Sequence, residues 1–165
     1  MTYLLTFTCY GARLPGDQRG WTDRTRGDHC GGYREPSVGL ERYAREAMLN
    51  DPYLLDQRRA HLVLATIQEV CTFRGWELLA AHVRTNHVHC VVSAPMHPSC
   101  AIADFKAYAS RTLNAIEGIQ KRWARGGSAH TLEAPHTIRA AVSYVVDGQG
   151  EAMAVYAWHR GSEDA

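Results

Sequence analysis

Residues 76–94 read WELLAAHVRTNHVHCVVSA, and this stretch decides the fold. It contains two apolar runs, 76–83 and 87–94, which are separated by the polar tripeptide RTN. A connection of this length between two apolar runs is typical of a β-hairpin. The two runs are therefore predicted to form neighbouring antiparallel strands.

The second of these strands carries two histidines. His87 and His89 are two positions apart, and alternate side chains of a strand point to the same face of a sheet. Val88 and Cys90 are then predicted to point to the opposite face, where they can join an apolar core. Two adjacent imidazoles form half of a divalent-metal site, but an isolated pair also occurs on ordinary sheet surfaces. On its own the pair leaves both interpretations open.

Further strands and helices are predicted before and after this hairpin in the sequence. Before it, apolar spacing and capping residues predict a buried strand over 2–10 and a helix from Asp51-Pro52 to Gly75. After it, they predict a helix capped by Ser99, a short extended segment at 129–134 and a helix over 137–147. Apart from the last helix this order is βαββαβ. It predicts a ferredoxin-like α+β fold, an antiparallel sheet with helices on one face, plus the additional C-terminal helix.

Length and composition indicate one globular unit. The chain has 165 residues, of which 45% are apolar and 21% charged. We expect a single domain over 1–165, with a long polar loop at 13–37 and a C-terminal tail at 151–165. The apolar start, residues 1–12, is shorter than the ~20 residues that span a bilayer and has no basic segment before it. A soluble cytoplasmic protein without a membrane partner is predicted.

Charge and cysteine content exclude further classes. The formal net charge is +1, which excludes strongly basic, histone-like proteins and proteins with acidic tails. The five cysteines are scattered and form no CxxC pair, which argues against a disulfide framework and against a thiolate zinc site. Any nucleic-acid interface must therefore be a local one.

The last predicted helix carries a candidate nucleophile. At about 100° per residue, Tyr144 lies more than a right angle from the centre of the apolar stripe between Ile138 and Val146. Its side chain is therefore predicted to project away from the core. Tyr108, on the preceding helix, lies nearer an apolar stripe and is expected to pack. Without the histidines, Tyr144 could equally be an ordinary surface or interface residue.

Three segments together carry a family resemblance. HVHCVV at 87–92 is followed some fifty residues later by YVVDGQG at 144–150 and is preceded by TYLLTFTCYGARLPGDQRG at 2–20. In this order and spacing the chain resembles the single-tyrosine HUH transposases, a group that includes insertion-sequence and REP-associated tyrosine transposases. The resemblance implies a ferredoxin-like nuclease that binds single-stranded hairpin DNA, cleaves and rejoins it through a 5′-phosphotyrosine link, and works as a homodimer.

The resemblance also implies roles for individual residues. Tyr144 would be the catalytic nucleophile, and His87 and His89 would bind Mg²⁺ or Mn²⁺ together with a polar residue after the tyrosine. In the family that residue is often Gln or Asn four positions after the tyrosine, which is Gly148 here, and Gln149 follows one position later. A left-handed Gly148 would return Gln149 to the metal.

Asp147 is the alternative third ligand, and the sequence does not choose between it and Gln149.

The sequence also offers candidates for DNA binding. The long polar loop contributes Arg13, Arg19 and Trp21, a mixture suited to phosphate contact and base stacking. The second predicted helix and the residues after it contribute Lys106, Arg111, Lys121 and Arg122.

Three classes of function follow from these residues. The first is a transposase or recombinase, a metal-dependent single-strand endonuclease and strand transferase. The displaced Gln149 favours the second, a domesticated and catalytically impaired hairpin-DNA-binding protein of the same fold. The third is a small metal-dependent hydrolase in which Tyr144 has no role. Only the first forms a covalent DNA adduct, and only the first two bind hairpin DNA.

Overall fold

The computed structural model describes residues 1–22 and 33–158. Residues 23–32, within the predicted polar loop, and residues 159–165, at the end of the predicted tail, lie outside this part. Its strands are β1 (Thr2–Thr8), β2 (Trp21–Thr22), β3 (Tyr33–Arg34), β4 (Glu77–Val83), β5 (His87–Ser93), β6 (Ser128–Leu132) and β7 (Ala154–Ala157). Its helices are α1 (Val38–Glu46), α2 (Gln57–Arg74), α3 (Pro98–Glu117) and α4 (Pro135–Asp147).

Five strands form one antiparallel sheet in the order β6-β1-β5-β4-β7. The predicted hairpin is β4 and β5, and the predicted ferredoxin-like α+β arrangement is confirmed. The expected tail differs from the prediction, because residues 154–157 form β7 and pair with β4 at one edge of the sheet. A strand of four residues is too short to show an alternating pattern in the sequence.

Both faces of the sheet are covered by helices. On one face, Leu5 and Phe7 of β1 belong to the same buried cluster as Phe105 of α3 and the apolar residues of α2. On the other face, Leu4 of β1 packs with Val145 of α4. Because alternate residues of β1 point to opposite faces, α4 lies across the sheet from α2 and α3.

Helix α2 begins later than the sequence predicted. Its N-cap is Asp56 instead of Asp51. The intervening backbone N–H groups bind elsewhere: that of Tyr53 donates to the Tyr10 carbonyl at 3.0 Å, and that of Leu55 donates to a carbonyl in the β4–β5 turn at 2.7 Å. These partners are remote in sequence, so the capping pattern at Asp51-Pro52 predicted the wrong first residue for α2.

Helix α1 has no counterpart among the predicted elements. None of its nine residues is buried, and a segment this short offers few positions for a periodicity argument. Its N-cap is Ser37, whose hydroxyl accepts a hydrogen bond from the Leu40 N–H at 3.4 Å. Within residues 1–22 and 33–158, no helix is long and apolar enough to cross a membrane.

The predicted DNA-binding residue Arg122 is a structural residue. It is only 2% exposed, and its guanidinium donates to the Glu117 carboxylate at 3.2 Å and to the Gly118 carbonyl at 2.7 Å. A further hydrogen bond goes to the side-chain oxygen of Asn114. The prediction that Arg122 binds DNA is therefore wrong, because a guanidinium buried in this way cannot reach a phosphate.

Glu117 provides the charge that balances Arg122. It also accepts hydrogen bonds from the Tyr53 hydroxyl and from Arg59 Nε, the latter at 2.8 Å. Burial alone would raise the pKa of Glu117, but the hydrogen bonds from Tyr53, Arg59 and Arg122 lower it. The carboxylate is thus ionised and links α2, α3 and the segment after α3.

We expect Arg122→Met to lower the free energy of unfolding by about 3 kcal/mol, because it removes one partner of a buried ion pair. Urea unfolding followed by circular dichroism measures this loss. Arg58→Met is the matched control, since Arg58 is exposed on α2 and its replacement should change stability by less than about 0.5 kcal/mol. Equal effects of the two substitutions would contradict a structural role for Arg122.

Candidate active site

A cavity of about 370 Å³ lies on the sheet face that carries α4. Four parts of the chain line it: β1, the loop after β1, the beginning of β5 with the turn before it, and the end of α4. The lining residues are Thr6, Thr8, Ala12, Arg13, Arg19, Asn86, His87, His89, Tyr144 and Gln149. The cavity therefore brings together residues that are far apart in sequence, including both histidines, the candidate nucleophile and Gln149.

The two histidines lie side by side on β5. The centroids of the His87 and His89 rings are 4.9 Å apart, and the rings meet edge to face. Val88 and Cys90 are fully buried in the core on the opposite face. The alternation that the sequence predicted for this strand is thus confirmed.

Each imidazole has a hydrogen-bond partner on its Nδ1 atom. The Nδ1 atom of His87 lies 2.7 Å from Asn86 Oδ1, and the Nδ1 atom of His89 lies 2.7 Å from Thr6 Oγ1. Thr6 stands directly opposite His89 in the pairing of β1 with β5. These two contacts leave Nε2 of each ring for another partner.

Both imidazoles lie in surroundings that favour the uncharged ring. Burial, together with the neighbouring His87, lowers the pKa of His89 to about 4. Burial and the positive charge of Arg84 also lower the pKa of His87, although a hydrogen bond with Gln149 acts in the opposite direction. Neutral imidazole is the form that binds metal ions.

Tyr144 lies next to these histidines in the same chain. Its ring centroid is 5.6 Å from that of His89, and 47% of the residue is exposed. The side chain lies outside the core, as the helical angle predicted: it belongs to neither buried cluster, and its ring is beside that of His89 on β5. The buried residues of α4 are Ala141 and Val145. Tyr144 is next to Val145, so its ring can reach the edge of the sheet surface. Tyr108 packs against the opposite core, as predicted.

Gln149 lines the cavity, but the backbone conformation that places it there differs from the predicted one. Gly148 has a φ of −83°, so it is not left-handed, and the left-handed residue is Gly150 with a φ of +75°. Gly148 is needed for space, because a Cβ there would lie 2.7 Å from the Tyr144 carbonyl oxygen. The Gln149 side chain folds back, and its Nε2 donates to the same carbonyl at 3.2 Å.

Asp147, the alternative third ligand, lies outside the cavity. Its carboxylate is exposed and accepts a hydrogen bond from the Ser143 hydroxyl at 3.4 Å. Within the described ranges, no three His, Cys, Asp or Glu side chains lie close enough together to hold a metal ion. A metal site here therefore needs a donor of another kind, and the amide oxygen of Gln149 is available in the cavity.

His82 anchors the tyrosine helix, a role that the sequence did not indicate. It is fully buried on β4 opposite His89. Its Nδ1 lies 3.2 Å from the Val145 carbonyl in the last turn of α4, and its Nε2 accepts from the Met153 N–H at 3.3 Å. Both contacts together require a neutral ring with the proton on Nδ1. A single histidine at an alternating strand position carries no sequence signal for such a contact.

A sequence profile of the family described as "Transposase IS200 like" matches residues 44–147 of this chain. This segment includes both histidines and the candidate tyrosine. The chain belongs to this family. No curated protein matches it in sequence.

Two solved structures resemble this IS200-like transposase. One is a REP-associated tyrosine transposase bound to a REP hairpin, which is 15% identical, has a TM-score of 0.50 and matches over 87% of this chain. This chain spans 63% of the length of that structure. The other, from Deinococcus radiodurans R1, is assigned as a transposase, is 13% identical over 88% of both chains and has a TM-score of 0.42. At the identity of the first, the similarity shows a shared fold.

In this family member, two of the predicted DNA-binding arginines face the cavity. Arg13 is exposed there. The guanidinium of Arg19 is held by the Asp17 carboxylate at 2.7 Å and by the Ala12 carbonyl at 3.1 Å. The hydrogen bond from Arg19 lowers the pKa of Asp17 to about 2, so the pair is ionised at any physiological pH. Both arginines thus place cationic groups beside the histidines.

The other predicted DNA-binding residues lie elsewhere. The Lys106 ammonium donates to the carbonyls of Ala124 and Gly126 and lies over the Phe7 ring, on the sheet face opposite the histidines. Lys106 does not line the cavity, and a contact of its ammonium group with DNA stays a prediction. Trp21 is half-buried on β2, and its indole N–H is buried without a partner in the described part of the chain.

Arg111 and Lys121 also lie outside the cavity. The guanidinium of Arg111 lies 4.9 Å from the centroid of the Tyr108 ring on α3, and the ammonium of Lys121 lies 4.5 Å from that of Tyr10. Both side chains are exposed, so a contact with DNA at these positions stays a prediction. The basic surface that the sequence placed along α3 is thus divided and does not surround the histidines.

Proposed function

We propose that this chain is a metal-dependent single-strand DNA endonuclease and strand transferase in which Tyr144 is the nucleophile. The observation that carries the proposal is the position of Tyr144, 5.6 Å between ring centroids from His89, in a cavity that also holds His87 and Gln149. The cavity also contains Arg13 and Arg19, whose charges suit a phosphate.

The donor set of the cavity fits a divalent metal ion. His87 and His89 are neighbours whose Nδ1 atoms have hydrogen-bond partners, which leaves Nε2 of each ring. The amide nitrogen of Gln149 donates to the Tyr144 carbonyl, so its amide oxygen is the atom that faces His87. An amide oxygen is a suitable ligand for Mg²⁺ or Mn²⁺, whereas two imidazole nitrogens favour Mn²⁺ and other transition metals over Mg²⁺. When bound, such an ion would neutralise the negative charge of the scissile phosphate and orient it.

The reaction that these residues support is a transesterification. The Tyr144 Oη atom attacks the phosphorus and loses its proton to water, which reaches this half-exposed side chain. A bond forms between Oη and phosphorus, the bond between phosphorus and the 3′ oxygen breaks, and that oxygen takes a proton from water. The product is a 5′-phosphotyrosine link and a free 3′-OH.

Rejoining is the reverse of this step. A phenolate is a better leaving group than an alkoxide, because the pKa of tyrosine is near 10. A 3′-OH can therefore attack the phosphotyrosine, form a new phosphodiester bond and release Tyr144. The energy of the broken bond is kept in the link, so strand transfer needs no nucleoside triphosphate.

Hairpin DNA is the proposed substrate. The similar solved structure is a REP-associated tyrosine transposase bound to a REP hairpin, and Arg13 and Arg19 supply local positive charge on a chain with a net charge of only +1. A homodimer, which the family resemblance implies, stays a prediction. The cavity itself contains the histidines and the tyrosine of one chain.

The test is incubation of the protein with Mn²⁺ and a panel of single-stranded hairpin oligonucleotides labelled at the 3′ end. We expect a labelled DNA fragment that migrates with the protein on a denaturing gel, because the 5′ phosphate of that fragment is bonded to Tyr144. The link should disappear when EDTA is added before the DNA. Tryptic mapping of the adduct then identifies the linked residue.

Other outcomes assign other functions. Hairpin binding without any adduct would favour the catalytically impaired DNA-binding protein. DNA hydrolysis that continues after Tyr144→Phe would favour a metal-dependent hydrolase and contradict the proposed nucleophile.

A further inference from the structure

We propose that Asn86 and Thr6 are positioning residues that hold His87 and His89 in the tautomer with the proton on Nδ1. Both Nε2 atoms are then left as lone-pair donors to a cation. The inference rests on the proposed function, of which it specifies the metal-binding part.

The backbone of Asn86 is held independently of its side chain. The N–H of Arg84 donates to the His87 carbonyl at 2.9 Å and closes the β4–β5 turn. The carbonyl of Asn86 accepts from the Cys9 N–H at 2.8 Å, just after β1. The turn therefore keeps its shape without the Asn86 amide group, which is free for a different task.

That task is a contact with the next residue. Asn86 Oδ1 lies 2.7 Å from Nδ1 of His87. A carbonyl oxygen carries no proton, so the proton of this hydrogen bond must be on Nδ1. In the neutral ring Nε2 then has a lone pair, which is what a metal ion requires.

Thr6 holds the second ring from the neighbouring strand. It stands directly opposite His89 in the antiparallel pairing, with Oγ1 at 2.7 Å from Nδ1. A hydroxyl can accept or donate, and in the proposed state Oγ1 accepts from Nδ1–H. Thr8 stands opposite His87 in the same way, but among the described residues no hydrogen bond joins its hydroxyl to either ring. Only one of the two threonines therefore orients an imidazole.

Gln149 lies beside the same ring, and a neutral His87 has only one ring proton to share between the Asn86 and Gln149 oxygens. The amide nitrogen of Gln149 donates to the Tyr144 carbonyl, so its amide oxygen is the atom left to contact His87. With Nδ1 of His87 engaged by Asn86, an unprotonated Nε2 and an amide oxygen share one side of the cavity. Two lone-pair donors side by side favour a cation between them.

The first measurement uses the metal-free protein at neutral pH, without DNA. Multiple-bond ¹H–¹⁵N spectra distinguish protonated from unprotonated ring nitrogens, and His87→Ala and His89→Ala assign the signals. We expect both rings to carry the proton on Nδ1. In Asn86→Ala the His87 signals, and in Thr6→Val the His89 signals, should change to a mixture of tautomers or to Nε2–H.

The second measurement is calorimetric titration with Mn²⁺ alone. Loss of a residue that orients a metal-binding histidine typically lowers affinity about 10- to 100-fold, and we expect this in Asn86→Ala and in Thr6→Val. Asn86→Asp and Thr6→Ser keep the acceptor oxygen and should keep both the tautomer and the affinity. Thr8→Val is the matched control and should keep the tautomers of both rings.

The inference is overturned if either ring of the unaltered protein carries its proton on Nε2, a result that needs no variant to fold. It is equally overturned if Asn86→Ala and Thr6→Val bind Mn²⁺ as tightly as the unaltered protein. The proposed function can fail separately. Correct tautomers and correct Mn²⁺ affinities without a covalent DNA adduct would leave the roles of Asn86 and Thr6 intact and remove the nuclease.

Discussion

Tyr144→Phe is expected to lower the yield of covalent DNA adduct by at least about 1,000-fold, because it removes the only atom that forms the bond to phosphorus. The substitution deletes one hydroxyl from a half-exposed side chain whose ring contact with His89 can persist. Hairpin affinity and the thermal unfolding midpoint should therefore stay unchanged. A denaturing gel measures the adduct, and fluorescence anisotropy with a labelled hairpin measures the affinity.

Tyr108→Phe is the control for this loss. Tyr108 lies on α3, across the sheet from the cavity, and packs against the core there. Its replacement should leave the adduct yield within a few-fold of normal. An adduct that persists in Tyr144→Phe and disappears in Tyr108→Phe would show that α3, and not α4, carries the nucleophile.

The combined replacement of His87 by Ala and His89 by Gln is expected to reduce Mn²⁺ affinity by more than about 100-fold, and to abolish the adduct as well. Gln is chosen at position 89 because this residue is only 8% exposed and a smaller side chain would leave a void. Calorimetric titration with Mn²⁺ measures the affinity, and circular dichroism verifies the fold.

His130→Ala serves as the matched control, because His130 is an exposed histidine on β6 of the same sheet. It should bind Mn²⁺ as the unaltered protein does. Unchanged Mn²⁺ affinity in the doubly substituted protein would remove the metal site, whatever the state of the DNA reaction.

The sequence predicts those parts of the fold in which apolar residues recur with the period of a strand or of a helix. The alternation around His87 and His89 placed both rings on one face, and the structure has them there. The resemblance singled out Tyr144 and Gln149, and the structure brings both into one cavity with the histidines. The spacing alone did not show how Gln149 gets there, because that depends on a carbonyl in the preceding helical turn.

Predictions failed where a residue's partner is distant in sequence. Arg122 has the charge of a DNA-binding residue, and only the folded chain places Glu117 and Asn114 around it. Asp51-Pro52 has the composition of a helix start, and only the folded chain gives the following N–H groups other acceptors. The contacts of Thr6 with His89 could not be inferred either, since they depend on the register between two strands.

The residues that line the cavity lie between Thr6 and Gln149 in the sequence. The cavity can therefore form only after the ribosome has synthesised the chain through Gln149. A ribosome adds about 5–20 residues per second, so roughly 7 to 30 s separate the emergence of the first contributing residue from the last. For part of that interval the nascent chain contains His87 and His89 but not yet Tyr144. A truncated translation product that ends before α4 would lack Tyr144 and could not form the proposed covalent link. The proposed nuclease site is therefore complete only in chains that extend through Gln149.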